Sequence, residues 1–120
     1  MMKKNSVKEK SFNFSIRIVN LYKMLVSKKK EYVLSKQLLR SGTSVGAMIR
    51  EAEHAETPKD FIHKMAIAQK EINETIYWLE LLNKTNYLEI QEFESIYTDA
   101  VEIIKLITSI LKTMKQKIKH

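Results

Sequence analysis

The sequence predicts an all-α protein, an antiparallel up-down-up-down four-helix bundle formed by a single domain, residues 1–120. The chain contains only two glycines and one proline, too few for the turns of a β-sandwich or barrel. The absence of cysteine excludes a disulfide framework and a thiolate metal site or nucleophile. Apolar residues recur with the helical period in four stretches with short connections, and a chain of this length forms one core.

The first helix is predicted over residues 11–27, behind a basic tail of residues 1–10, with Ser11 as its N-cap. Three lysines follow at 28–30, where a helix end favours cations, so a short loop is expected there. The apolar stripe of this helix steps by four, three and four residues: Phe14, Ile18, Leu21 and Leu25.

The second helix is predicted over residues 32–54 and contains both glycines of the chain. Gly42 and Gly46 are four residues apart, so they lie on one face of this helix. Each costs about 1 kcal/mol of helix propensity relative to alanine. We therefore expect the backbone of another helix to approach this face closely.

The third helix is predicted over residues 58–83 and the fourth over residues 89–117. Thr57 is the expected N-cap of the third helix, with Pro58 at the first helical position and Asp60 in the first turn. The fourth helix carries a heptad row that is predicted to face the core: Phe93, Tyr97, Ala100, Ile104, Ile107, Leu111, Met114 and Ile118.

Both of these helices have more apolar residues than one bundle core needs. A second apolar face in a small domain is usually buried against another subunit. The sequence therefore predicts a homo-oligomer. Six residues are expected at its interface: Tyr77, Trp78, Leu81, Ile96, Ile103 and Ile110.

The net charge of +7 is unevenly distributed along the chain. Residues 1–50 hold 12 Lys/Arg and two Glu, residues 51–104 four Lys and 12 acids, and residues 105–120 five Lys and no acid. Antiparallel packing would bring the two basic ends together. The candidate nucleic-acid-binding residues at that end are Lys3, Lys4, Lys8, Lys10, Lys112, Lys115, Lys117 and Lys119.

These lysines have two possible roles. They could solvate a helix end and complement its dipole, or they could contact the phosphates of RNA or DNA with little sequence preference. The two roles are balanced for a lone domain, and an oligomer favours nucleic acid. No aromatic residue lies between the lysines, so base stacking is not indicated. The chain has no signal peptide and no stretch of about 18 apolar residues, so a cytoplasmic protein without a membrane partner is expected.

Three motifs suggest catalysis or metal binding, and each has a simpler explanation. Residues 42–46 match the G-x-S-x-G nucleophile elbow, but that motif needs a strand before its turn, whereas here both flanks have helical period. The pair Glu51 and His54 and the pair Asp60 and His63 resemble di-iron ligands but flank one turn at an end of the bundle. No catalytic residue, metal site or cofactor is predicted.

Arg40 is expected opposite Glu71 and Glu74, because the second and third helices turn near residue 56. A partly buried network of these three residues is the favoured interpretation, and a ligand site is the alternative. Such a network would serve register and specificity more than stability.

Two blocks of sequence, QLLRSGTSVGAMIREAEHAE (37–56) and DFIHKMAIAQKEINETIYWLELL (60–82), resemble the 23S rRNA intervening-sequence protein family. The resemblance extends more loosely over residues 11–112, and Met48 stands where the common motif has Asn. The motif positions that carry over by resemblance are structural: Arg40, Gly42, Ser44, Gly46, Glu51, Glu71, Glu74 and Trp78.

The resemblance implies a four-helix bundle that assembles as a ring-like homopentamer and has no established catalytic residues. A related branch resembles the accessory protein of diversity-generating retroelements, which binds nucleic acid and a reverse transcriptase. The first functional hypothesis is therefore a non-enzymatic nucleic-acid-binding oligomer. The alternative is a protein-interaction scaffold or accessory subunit for a nucleic-acid enzyme.

Overall fold

The computed structural model describes residues 7–119, and in that range its regular secondary structure consists of helices joined by short turns, with no strand. Its elements are α1 (Val7–Ser27), α2 (Leu34–Glu53), α3 (Pro58–Lys84) and α4 (Ile90–Lys119). The prediction of an all-α protein with four helices is confirmed. None of the four is both long and apolar enough to cross a membrane over the described residues.

The four helices pack around one core in an elongated body of 51 × 22 × 21 Å. Each helix contacts the next along the chain, and α1 also contacts α4. Ion pairs give the relative register of α1 and α4: Lys10 binds Glu102, and Arg17 binds both Asp99 and Glu92.

Helix α1 includes Val7, four residues before the predicted start, so the assignment of Ser11 as its N-cap is wrong. Ser11 lies inside the helix, is buried, and donates its hydroxyl hydrogen to the carbonyl of Lys8 at 3.0 Å. Val7 is itself fully buried. The apolar stripe thus begins one turn earlier than predicted, and a small side chain at position 11 occupies the α1–α2 contact.

A glutamate caps α2, which begins at Leu34 rather than at residue 32. The Glu31 carboxylate is only 7% exposed and accepts hydrogen bonds from the backbone N–H groups of Val33, Leu34 and Ser35 at 3.2, 2.9 and 2.6 Å. It satisfies three donors that the first turn of a helix leaves without partners. Lys30, in the left-handed region at φ 56°, turns the chain into this arrangement.

The predicted start of α3 is confirmed. The Thr57 side chain accepts a hydrogen bond from the Asp60 backbone N–H at 3.0 Å, and Pro58 occupies the first turn. These interactions are local in sequence, which is why the motif located the helix start so closely.

The two glycines of α2 lie against α1, as expected. A Cβ on Gly46 would stand 3.3 Å from the backbone oxygen of Ser11, so the two backbones approach closely there. A Cβ on Gly42 would stand 2.8 Å from two carbons of the fully buried Ile18 side chain. The backbone of α1 therefore lies against Gly46, and the branched side chain of Ile18 lies against Gly42.

The core-facing row of α4 differs from the predicted one. The fully or almost fully buried residues are Ile96, Ala100, Ile103, Ile107 and Leu111. Phe93, Tyr97 and Ile104 are half-buried at the edge of this row. Ile96 and Ile103, which were assigned to the subunit interface, thus belong to the core of the single chain. Ala100, Ile107 and Leu111 of the predicted row lie in the core as expected, and Ile96 and Ile103 complete it in place of Phe93, Tyr97 and Ile104.

Candidate nucleic-acid interface

The lysines predicted to form one basic end do not behave as a single group. Lys8 binds Glu53 at 2.8 Å and Lys10 binds Glu102 at 3.0 Å. The hydrogen bond from Lys8 also lowers the pKa of Glu53 from its ordinary value. The positive charges of these two lysines are therefore compensated locally. Lys3 and Lys4 lie outside the described residues.

The four predicted lysines of α4 are exposed: Lys112, Lys115, Lys117 and Lys119. None forms an ion pair with another residue of the range 7–119. They occupy the last turns of a 30-residue helix, whose carbonyl end favours cations. These side chains remain available to an anionic partner.

Arg40 contacts both predicted glutamates across the α2–α3 contact. One guanidinium nitrogen donates to Glu71 Oε1 at 3.2 Å and the other to Glu74 Oε2. Trp78 Nε1 donates to the same Glu74 oxygen at 2.9 Å. The predicted cluster is thus formed, with the Arg40 side chain about half exposed.

Hydrogen bonds stabilise the charged forms of Glu74 and Arg40 in this cluster. Donation from Trp78, together with that from Arg40, lowers the pKa of Glu74, and the bond to Glu74 raises the pKa of Arg40. Glu74 and Arg40 therefore stay ionised at neutral pH. Because Arg40 is half exposed, solvent screens the pair and its contribution to stability is small. The cluster connects the side chains of α2 and α3.

Three of the remaining predicted interface residues are neighbours on α3: the ring centroids of Tyr77 and Trp78 are 4.9 Å apart, and Tyr77 and Leu81 line one groove. Tyr77 is 55% exposed on the outer side of α3, and Leu81 lies half-buried one turn further on. Trp78 lies beside Arg40, as described above. Ile110 is eleven residues after Asp99, so it lies on the side of α4 that contacts α1. Three of the four residues are therefore neighbours on α3, and Ile110 lies apart from them on α4.

The G-x-S-x-G segment lies in the middle of α2, where both glycines contact α1. The Ser44 hydroxyl donates to the Arg40 carbonyl at 2.6 Å, a bond within the helix. The strand and sharp turn of a nucleophile elbow are not formed by these residues. Glu51 binds Lys64 at 2.9 Å, and the described residues contain no group of three or more acidic or histidine side chains suited to a metal ion.

The chain matches a known protein family over most of its length. A family model described as 23S rRNA-intervening sequence protein matches residues 3–109. The chain belongs to this family. No curated protein matches the chain significantly.

A solved structure similar to this family member comes from Bacteroides thetaiotaomicron and is described as a protein with unknown function from the S23 ribosomal protein family. The two chains are 60% identical, and the likeness covers 88% of this chain and 98% of the other, with a TM-score of 0.88. The agreement supports the four-helix fold at the level of the whole chain.

Proposed function

We propose that this member of the 23S rRNA-intervening sequence protein family is a non-enzymatic homo-oligomer that binds RNA or DNA largely independently of sequence. The observation that carries the proposal is the group of exposed, uncompensated lysines on the last turns of α4, in a chain of net charge +7. Lysine ammonium groups attract backbone phosphates as point charges and do not distinguish bases.

In this proposal the helices run alternately up and down and the subunits form a ring. The ion pairs of Lys10 and Arg17 with α4 support the first part, because the partner on α4 moves back from Glu102 to Asp99 as α1 advances from Lys10 to Arg17. Exposed apolar residues support the second. Phe12 and Ile16 project from α1, while Tyr77 and Ile90 project from α3 and α4. Two different exposed apolar surfaces on one subunit suit a head-to-tail ring, in which one surface of each subunit packs against the other surface of the next.

We expect the protein in solution to have about five times the mass of the 14.1 kDa chain. Light scattering or native mass spectrometry at several concentrations measures this directly. A monomer at micromolar concentration would contradict the ring, because it would show that the exposed apolar side chains are not buried against another subunit.

Nucleic-acid binding is expected to be strong at low salt and to weaken steeply as salt rises, because each neutralised phosphate releases counterions. Fluorescence anisotropy with labelled RNA and DNA from 50 to 300 mM KCl tests this expectation. Absence of binding at the lowest salt, or an affinity that does not change with salt, would exclude phosphate contacts as the basis of function.

A protein-interaction scaffold is the second candidate, with a partner such as a reverse transcriptase. It is favoured by a groove of about 490 Å³ between α3 and α4 whose lining includes Tyr77, Leu81, Ile90 and Phe93. The groove is largely apolar, as protein-binding sites are. A partner that stays bound after nuclease treatment would support this alternative over the first.

A further inference from the structure

Two rows of lysine lie on the outer side of the α3–α4 pair, and the predicted basic end did not include most of them. On α4, Lys105, Lys112 and Lys119 follow each other at intervals of seven residues, two helical turns, and all three are exposed. On α3, Lys59 and Lys70 are eleven residues apart, three turns, and are also exposed. Within each helix the members of a row therefore share one face.

A hydrogen bond between the helices places the two rows side by side. Gln69 Nε2 of α3 donates to Thr108 Oγ1 of α4 at 3.0 Å. Thr108 lies between Lys105 and Lys112 in the α4 row, and Lys70 directly follows Gln69. We name the five residues the α3–α4 lysine face: Lys59, Lys70, Lys105, Lys112 and Lys119.

Half of the 14 acidic residues of the chain form ion pairs with cations outside this face. Seven acidic side chains within residues 7–119 form ion pairs, and their partners are Lys8, Lys10, Arg17, Arg40 and Lys64. No lysine of the α3–α4 lysine face is among these partners. Asp60, next to Lys59 in the sequence, also contributes to the raised pKa of Lys64, after the larger effect of the hydrogen bond from Lys64 to Glu51.

The dimensions and chemistry of this face suit the backbone of a duplex. At 1.5 Å per residue, Lys105 and Lys119 are about 21 Å apart along α4, close to the length of six base-pair steps. Gln69 and Thr108, which join the two rows, are polar and provide no surface for base stacking. The exposed aromatic residue on the same side of α3, Tyr77, lies two turns beyond Lys70 and outside the face. Single-strand binding relies on such stacking, whereas duplex binding relies on phosphate contacts.

We propose that the α3–α4 lysine face is the nucleic-acid-binding surface and that it takes double-stranded rather than single-stranded nucleic acid. This inference rests on the proposed function and adds to it the location of the site and the class of ligand. Lys8 and Lys10 are not part of the site, because Glu53 and Glu102 neutralise them. Lys117 is not part of it either, since it is five residues after Lys112 and so lies on another side of α4.

The test compares two triple variants of equal net charge. One changes the face (Lys70→Gln, Lys105→Gln and Lys112→Gln), and the control changes exposed, unpaired lysines of α1, the α1–α2 loop and α2 (Lys23→Gln, Lys28→Gln and Lys36→Gln). Glutamine is a good helix former, so both variants should keep their helical content. Circular dichroism and mass measurement verify this before binding is measured.

The probes are a duplex of about 25 base pairs, as RNA and as DNA, and the corresponding single strands. We expect the face variant to reduce the slope of log affinity against log salt by about 2 to 3 for duplex, and the control variant by less than 1. The unaltered chain should bind duplex more tightly than single strand.

Equal loss of slope in both variants would overturn the face while leaving the proposed function intact, as would tighter binding of single strands. Failure of the unaltered chain to bind any probe at 50 mM salt would overturn both proposals. Polyglutamate serves as a competitor: if it displaces the duplex at equal charge concentration, the face recognises acidic protein and the assignment to nucleic acid is wrong.

Discussion

Replacement of Glu31 by alanine is expected to lower the free energy of unfolding by about 2 to 3 kcal/mol. The carboxylate is buried and accepts hydrogen bonds from Val33, Leu34 and Ser35, so its removal leaves three backbone donors at the start of α2 without their partner. Urea denaturation followed by circular dichroism measures the change. Glu80→Ala, at an exposed position of α3, is the matched control and should change stability by less than about 0.5 kcal/mol.

The stabilisation by Glu31 should also depend on pH. Burial favours the neutral carboxyl group, but the hydrogen bonds from the backbone of Leu34, Ser35 and Val33 outweigh it, so the pKa of Glu31 is lowered. A lowered folded-state pKa means that the contribution is complete above the unfolded value, about 4.3, and is lost as pH falls through the folded value. The stability difference between the unaltered chain and Glu31→Gln should therefore shrink below pH 4. A difference that stays constant from pH 7 to pH 3 would show that the charge of Glu31 does not contribute.

Replacement of Gly42 by valine is expected to cost about 3 kcal/mol, because the new side chain would overlap Ile18, which has no space to move in the core. The cost should exceed the small gain in helix propensity over glycine. Ile18→Ala alone should also destabilise, by about 2 to 5 kcal/mol, through the cavity that it leaves.

The double variant Gly42→Val with Ile18→Ala tests whether the two residues share one volume. We expect it to be more stable than the sum of the single changes by at least about 1 kcal/mol, since the valine would occupy the space left by the isoleucine. Additive single and double effects in urea denaturation would refute the idea that Ile18 is the reason for glycine at position 42.

Features encoded by neighbouring residues were predictable from the sequence. The cap of α3 depends on Thr57, Pro58 and Asp60 alone, so its motif located the helix start. Gly42 and Gly46 carried a cost in helix propensity that only a close contact could offset, and the contact with α1 is present. The pairing of Arg40 with Glu71 and Glu74 followed from the position of one turn.

Features that depend on packing were harder to predict. In α4, isoleucine and other apolar residues occupy adjacent faces, so periodicity alone could not decide whether Ile103 or Ile104 faces the core. The roles of Lys8 and Lys10 depend on which acids the folded chain places beside them. The row at 105, 112 and 119 was visible in the spacing, but only the bond between Gln69 and Thr108 shows that it borders α3.

Ion-paired and unpaired charged side chains are unevenly distributed over the surface of this molecule. The five lysines of the α3–α4 lysine face form no ion pair with other residues of the range 7–119, so the outer side of α3 and α4 presents a local concentration of positive charge. The electric field of a polyanion orients such a molecule before contact, so that its basic side approaches the polyanion first. Correctly oriented encounters become more frequent at low ionic strength and lose that advantage as the Debye length shrinks to about 8 Å at physiological salt. The arrangement of surface charge thus governs the rate of association as well as its strength.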